Sequence, residues 1–503
     1  MSNFTLKILR GVSVFIFYFL SIPLSLAAGK FEFSTLARSA YDKTMALKLD
    51  EADYYLNQLK QKEPDNLMAD FIENYKECLI IFVNEEEADY NRYKPKEAKR
   101  LAAFKTGDKN SPYYLYCQAQ TRLLWAMNKA KFGSWLGAFN ETTEAFSLLE
   151  SNQKKFPNFL PNKMSLGVLH GVVGSIPDDY KGGLKFFTGM NGTVEQGQRE
   201  IEEVIQFAKN NDFQFEQEAL VLYAFLMLHL NNQTDNAWAI MNNAKLKPRE
   251  NILSCFALAN VATRTGHNDK AIEILQNRPT GQGFLQVHYL DYMLAMAKLY
   301  RGDGDADVYI KQFLQNFKGR NYIKEGYQRL AWYELLKGNY NSYKSWIENC
   351  KTKGYTDIGN DKNALKEAKQ GLVPEPTLLR ARLYFDGGYF QKAVDFMQNK
   401  NEASFPNTVH KLEYYYRMGR IYHAMKKPNE AIAFYDKTIQ AGKATKYYFA
   451  CNAALQLGMI YEDYKQYAKA REFYNFCLQL EPDDYADAFH AKAKARLSRI
   501  KNK

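Results

Sequence analysis

The sequence predicts an all-α protein, an α-solenoid of stacked antiparallel helix pairs that winds as a superhelix. Three observations lead there. At 503 residues the chain is too long for one ordinary core, and 46% hydrophobic with 24% charged side chains places it outside the disordered class. Only 14 Pro and 29 Gly argue against a turn-rich all-β protein. Small residues also recur at a near-constant interval: Ala237 and Ala271 are 34 apart, and Gly266, Gly302 and Gly338 recur at 36.

The first element is a targeting segment. Lys7 and Arg10 precede an apolar run from Gly11 to Leu26, followed by the small residues Ala27, Ala28 and Gly29. That order of charge, apolar run and small residues suits signal peptidase, so 1–28 reads as a signal peptide and the mature chain as exported, periplasmic or secreted. An uncleaved anchor is the alternative, because the run falls just short of a bilayer span. Net charge is +11, and cleavage removes Lys7 and Arg10 to leave +9. Export makes nucleic acid an unexpected partner despite that charge. A terminal cluster (Lys492, Lys494, Arg496, Arg499, Lys501, Lys503) complements a helix dipole, or else meets an anionic membrane or envelope surface.

Three further regions follow. Residues 29–205 hold one plausible repeat (Ala40, Ala52, Leu56, Pro64) and then lose the register from about 66. There the segments Pro112–Lys131 and Leu136–Gln153 are longer than a repeat helix. Residues 206–350 carry degenerate repeats, with Ala259, Gly266, Ala271 and Leu275 as one unit. Residues 351–503 carry repeats and a basic capping helix. Gly388 follows Gly338 by 50, so about a dozen residues are inserted between Cys350 and Leu372, and Ala393 completes that unit with Tyr384 and Phe390.

The register is sharpest near the end. Leu457-Gly458, Tyr461, Ala470, Tyr474 and Pro482 fall in the pattern L-G-x2-Y, A-x3-F, P, and Met418-Gly419, Tyr422, Ala431 and Tyr435 repeat it. Gly on one helix and Ala on the next allow close approach, aromatic rings fill the seam, and Pro ends the second helix. This resembles the tetratricopeptide repeat family, with roughly seven or eight such pairs in the chain. The stretch Phe156-Pro157-Asn158, Leu166-Gly167, Val172-Val173-Gly174, Lys181-Gly182-Gly183-Leu184 and Glu195-Gln196-Gly197 resembles the central part of the outer-membrane-associated tetratricopeptide family of mitochondria, and also exported tetratricopeptide proteins of Bacteroidetes-type bacteria.

Motifs of catalysis do not emerge. No two of the seven histidines are spaced i, i+4, and there is no C-x-x-C, G-x-S-x-G or G-x4-G-K-[ST]. Asp303, Asp305 and Asp307 begin like a calcium loop, but Val308 and Leu314 stand where Gly and Glu belong, so a polar turn is expected and no metal or cofactor. The aromatic runs Tyr113-Tyr114, Tyr414-Tyr415-Tyr416 and Tyr447-Tyr448-Phe449 read as seam packing, with a sugar or peptide surface as the alternative.

The expected function is a non-enzymatic scaffold that holds a peptide or protein partner in the groove of the first helices. The resemblance carries groove positions onto Arg382, Tyr416, Arg420 and His423, with Met459 and Glu462 continuing the surface. The Asn residues of the family's carboxylate clamp are missing. A helical-repeat enzyme or glycan binder is the other reading, with Glu462 and Asp463 as candidate carboxylates, though more simply a solvated face. Arg382 and Arg420, at equivalent places, should share one inner basic patch. In an antiparallel pair, facing residues have sequence numbers of constant sum. Gly458 with Ala470 sets that sum, and Cys451 with Cys477 satisfies it. The two cysteines should face each other, either as a disulfide or as reduced seam-fillers.

Overall fold

A computed structural model describes residues 28–176, 188–229 and 234–501. Residues 1–27 of the targeting segment, the Lys181-Gly182-Gly183-Leu184 stretch and Lys503 lie outside the described residues. The described chain is all-α. It has no strand, and its only β-type pairings are isolated bridges joining Gly29 to Gly107, Lys30 to Asn66 and Lys48 to Phe284. No described helix is long and apolar enough to cross a membrane.

Helices run in antiparallel pairs. The amino-terminal half comprises α1 (Thr35–Met45), α2 (Leu49–Lys62), α3 (Met68–Asn84), α4 (Glu87–Phe104), α5 (Tyr113–Lys131), α6 (Trp135–Lys155), α7 (Leu160–Gly174), α8 (Val194–Ala208), α9 (Glu216–His229) and α10 (Thr234–Asn243). Then come α11 (Ile252–Arg264), α12 (Asn268–Gln276), α13 (Tyr289–Arg301), α14 (Ala306–Asn316), α15 (Ile323–Leu336) and α16 (Tyr340–Thr352). The insertion expected between Cys350 and Leu372 is itself a helix, α17 (Gly359–Gln370), packed on α15. After it follow α18 (Pro376–Asp386), α19 (Phe390–Met397), α20 (Thr408–Ala424), α21 (Pro428–Gly442), α22 (Phe449–Asp463), α23 (Tyr467–Gln479) and α24 (Ala486–Arg499).

One turn geometry recurs. Gly266, Gly302, Gly338 and Gly388 all take a left-handed backbone, with φ of 78°, 88°, 81° and 79°. Lys426 and Lys465 hold the same place in the next two pairs, with φ of 57° and 58°. Seven residues before each lies a small residue, Ala259, Ala295, Ala331, Ala381, Gly419 and Gly458, where the partner helix crosses two turns upstream. The same interval joins Ala40 to Leu47, Cys78 to Glu85 and Ala126 to Gly133, all three of the latter positions with positive φ. The repeat register therefore persists through residues 66–135, where the sequence reading lost it. At the first of its two turns there, the usual markers are replaced by Cys78 and by a left-handed glutamate.

Close packing follows from the small residues. A Cβ on Gly458 would lie 2.4 Å from the Tyr474 ring, and one on Gly419 2.7 Å from Tyr435. Tyr474, Tyr435, Ala470 and Ala431 are each fully buried, and Tyr461 stacks on Phe473 at 5.4 Å. Tyr422 stacks likewise on Phe434 at 5.7 Å, and Pro482 is buried just beyond α23. The glycine-rich stretch plays the same part between α7 and α8. There a Cβ on Gly197 would fall 2.2 Å from the Gly167 carbonyl oxygen, and one on Gly174 2.3 Å from the Val194 nitrogen.

The solenoid also closes on itself. The turn after α1 meets the middle of the chain, where the Leu285 amide donates to the Leu47 carbonyl at 2.9 Å. Tyr41 donates to Glu218 at 2.7 Å. Glu85, buried at the end of α3, accepts from both the backbone and the side-chain amide of Asn321 at 3.0 and 2.7 Å. Gly388 packs against Gly266, where a Cβ would lie 2.5 Å from the Gly266 Cα.

Candidate binding surface on the first helices

The residue that follows each small position holds the same place on its helix: Trp332 after Ala331, Arg382 after Ala381, Arg420 after Gly419 and Met459 after Gly458. These come from α15, α18, α20 and α22, the first helices of four successive pairs. Arg382 lies 4.8 Å over the Trp332 ring, and Arg329 lies 4.1 Å over the same ring. Arg420 lies 4.8 Å over Phe385 of α18. Each arginine in the register therefore stacks on an aromatic ring of the preceding first helix, a cation–π contact that holds the guanidinium in place.

The carboxylates nearby are engaged. Trp332 donates its indole N–H to Glu367 of α17 at 2.7 Å. Arg382 faces Asp386 at 3.7 Å, with about a third of each side chain exposed. Arg417 pairs with Glu413 at 2.7 Å. Burial disfavours the Arg417 charge, but Glu413 together with Tyr448, Tyr416 and Asp386 outweighs it and the guanidinium stays protonated. Burial, reinforced by the Arg420 charge, moves His423 below its ordinary range, so it is neutral at neutral pH. Its Nδ1 sits 3.4 Å from the Tyr435 hydroxyl.

The expected site residues divide. Arg382, Arg420 and His423 are partly accessible on this face. Tyr416 is buried, at 2% exposure, and its hydroxyl accepts from Arg420 at 2.9 Å and from Asn452 at 2.7 Å. It orients Arg420 from beneath and does not itself meet a ligand. Glu462 is a correction too: it is buried at 7% and accepts from Tyr474 at 2.6 Å and from Arg496 and Arg499 of α24. The capping helix covers it, which also accounts for two of the terminal cations. Tyr414 and Tyr415 are buried like Tyr416, each reaching a different partner, so that run packs a seam.

The aspartate turn is neutralised locally. Lys298 contacts Asp305 at 2.8 Å and Asp303 at 3.5 Å, Arg301 pairs with Asp303, and Lys311 with Asp307 at 2.6 Å. Cys451 and Cys477 face each other with their sulfurs 3.6 Å apart, and both are free thiols. Sequence reasoning missed Trp332, Arg329, Phe385 and Glu367. The interval from small residue to left-handed turn would have found Trp332, because Gly338 marks Ala331 seven residues earlier. Glu367 could not be found so, since it stands on the inserted helix.

The acidic turn 481–485 passes beside this face. Lys366 donates to the Asp483 carbonyl at 3.1 Å and pairs with Asp484, while Tyr485 packs on Tyr448 at 5.3 Å.

Comparison with known proteins finds a family match in the last repeats, where residues 412–441 and 452–484 match the tetratricopeptide repeat family. The described fold is an all-α helical repeat. The crystal structure of the P58(IPK) TPR domain aligns over 86% of this chain and 100% of its own, at 14% identity and a TM-score of 0.21. The structure of Naa15/Naa10 bound to HypK-THB aligns over 92% of this chain and 65% of the matched one, at 14% identity and a TM-score of 0.24. No curated protein matches the sequence.

Proposed function

We propose that this is a non-enzymatic scaffold of the cell envelope, an exported bacterial tetratricopeptide protein that holds a peptide or protein partner across the first helices of its carboxy-terminal repeats. The observation that carries the reading is the arginine register: Arg382 and Arg420 occupy equivalent places, each stacked on an aromatic ring of the preceding repeat. Preorganised, partly exposed guanidinium groups beside aromatic rings are what interfaces concentrate. The acidic side chains around them support a binding reading over a hydrolytic one, because Glu367, Glu413 and Glu462 are each committed to a partner. The leader-like order of Lys7, Arg10, the Gly11 to Leu26 run and Ala27-Ala28-Gly29 supports the envelope location.

The test is affinity capture from an envelope fraction with the wild-type chain and with Arg382→Glu, read by quantitative mass spectrometry. A partner held by this face is captured by the wild type, weakens as salt rises and is depleted with the variant. Circular dichroism controls for folding. Equal capture by both proteins overturns the assignment of the face.

A further inference from the structure

We propose that Cys451 and Cys477 form a redox-active dithiol, a modification site that a low-molecular-weight disulfide such as oxidised glutathione closes to an intramolecular disulfide. The two residues stand opposite each other on α22 and α23, at 1% and 0% exposure, with sulfurs 3.6 Å apart. A disulfide needs about 2.05 Å, so closure asks the sulfurs to approach by about 1.5 Å, a change that side-chain rotation supplies. No other cysteine is so placed. Cys78 sits by the Asn74 amide oxygen at 3.9 Å and Cys255 by the Ile274 carbonyl at 3.8 Å.

The pair is also chemically distinct. Burial pushes the Cys255 and Cys350 thiols up to about 12. Between Cys451 and Cys477 the sulfur–sulfur hydrogen bond works against burial and favours a thiolate on whichever sulfur accepts it; either can be the donor, and Cys451 also donates to the Cys477 carbonyl at 3.5 Å. The thiolate of one cysteine attacks one sulfur of oxidised glutathione, forming a mixed disulfide and expelling one glutathione thiolate. The thiolate of the other cysteine then attacks the protein sulfur of that mixed disulfide and expels the second. Two protein thiols become one disulfide, one glutathione disulfide becomes two thiols, and the two protons pass to the leaving thiolates.

Access is controlled by the last helix. Cys451 and Cys477 share a core cluster with Ala493 and Ile500 at the covering end of the chain. That helix is held down by the pairing of Glu462 with Arg496 and Arg499. Oxidation therefore requires α24 to lift, and the bond, once made, staples the final helix pair.

The experiment treats the full chain with oxidised glutathione, quenches in acid, alkylates in denaturant and maps peptides without reduction. The expected product is a peptide pair joined through Cys451 and Cys477, with the other four cysteines alkylated. It forms faster in Glu462→Gln, and the oxidised wild type melts at a higher temperature than the reduced one. Absence of the linked pair after prolonged oxidation, accumulation of glutathione on Cys451 or Cys477 alone, or cross-links to the other cysteines would each overturn the proposal. So would an oxidation rate unchanged by Glu462→Gln, provided the variant keeps the wild-type helical content.

Discussion

The turn after α3 and the turn after α22 have the same backbone and opposite chemistry. Both place a non-glycine residue in the left-handed region, Glu85 at φ 55° and Lys465 at φ 58°, seven residues after a small residue. Lys465 is exposed and forms no ion pair among the described residues. Glu85 is 3% exposed and accepts from Asn321 twice and from Lys131, tying the first repeats to residues 236 positions away. The comparison separates two reasons for tolerating a strained φ. At Lys465 no side-chain tie offsets the strain, and glycine is the easier choice there. At Glu85 it is retained because the side chain joins two layers of the solenoid.

The largest expected effect breaks the comparison at the amino-terminal turn. Glu85→Gly relieves the backbone but leaves the Asn321 amides and Lys131 without their acceptor, and should destabilise by about 3 kcal/mol. Chemical denaturation checks it, and a neutral or stabilising outcome would show that the closure contributes nothing.

Next in size is the cap. Burial raises the Glu462 carboxyl, but Tyr474, Arg499 and Arg496 outweigh it and hold the group below its ordinary 4.5. A lowered folded-state value means that its stabilisation is complete above the unfolded value and fades as pH falls through the folded one. Acid titration should therefore loosen the last helix first, below about pH 4.5. Glu462→Gln should remove that pH dependence and cost about 2 kcal/mol in the final repeats, read by hydrogen exchange in α23 and α24.

A smaller effect sharpens the role of the glycine turns. Nothing lies within 4 Å of a Cβ built on Gly338, so Gly338→Ala should cost only the left-handed strain, about 1 kcal/mol. Gly388→Ala meets the Gly266 backbone as well and should cost more, and equal losses in thermal melts would contradict the contact between turns. Smallest of all, and opposite in sign, Lys465→Gly should stabilise by about 0.5 kcal/mol, as strain relief slightly exceeds the added freedom of the unfolded chain.

The same two turns show what was readable in advance. In the carboxy-terminal repeats, Gly419, Tyr435, Gly458, Tyr474 and the alanines opposite them announce the helix pairs directly, because a glycine facing a tyrosine ring is a local packing solution visible at fixed spacing. The long α5 and α6 and the opposition of Cys451 to Cys477 were legible for the same reason, since each depends on periodicity within a few helical turns; the insertion was legible from glycine spacing, but not its helical form.

Contacts between distant repeats were not legible. Nothing in the local pattern says that Glu85 meets Asn321 or that Gly388 meets Gly266, since these depend on the summed rotation of many stacked pairs. Burial of Tyr416 and Glu462 belongs with them. The signature spacing put both on the helices that line the groove, and the neighbouring repeat and the capping helix then covered them. Sequence by itself determined which helices pair, because that choice rests on side chains one or two turns apart. Only the tertiary structure decided which of their exposed-looking residues reach solvent, because small angular increments accumulate along the array and bring later elements back across earlier ones.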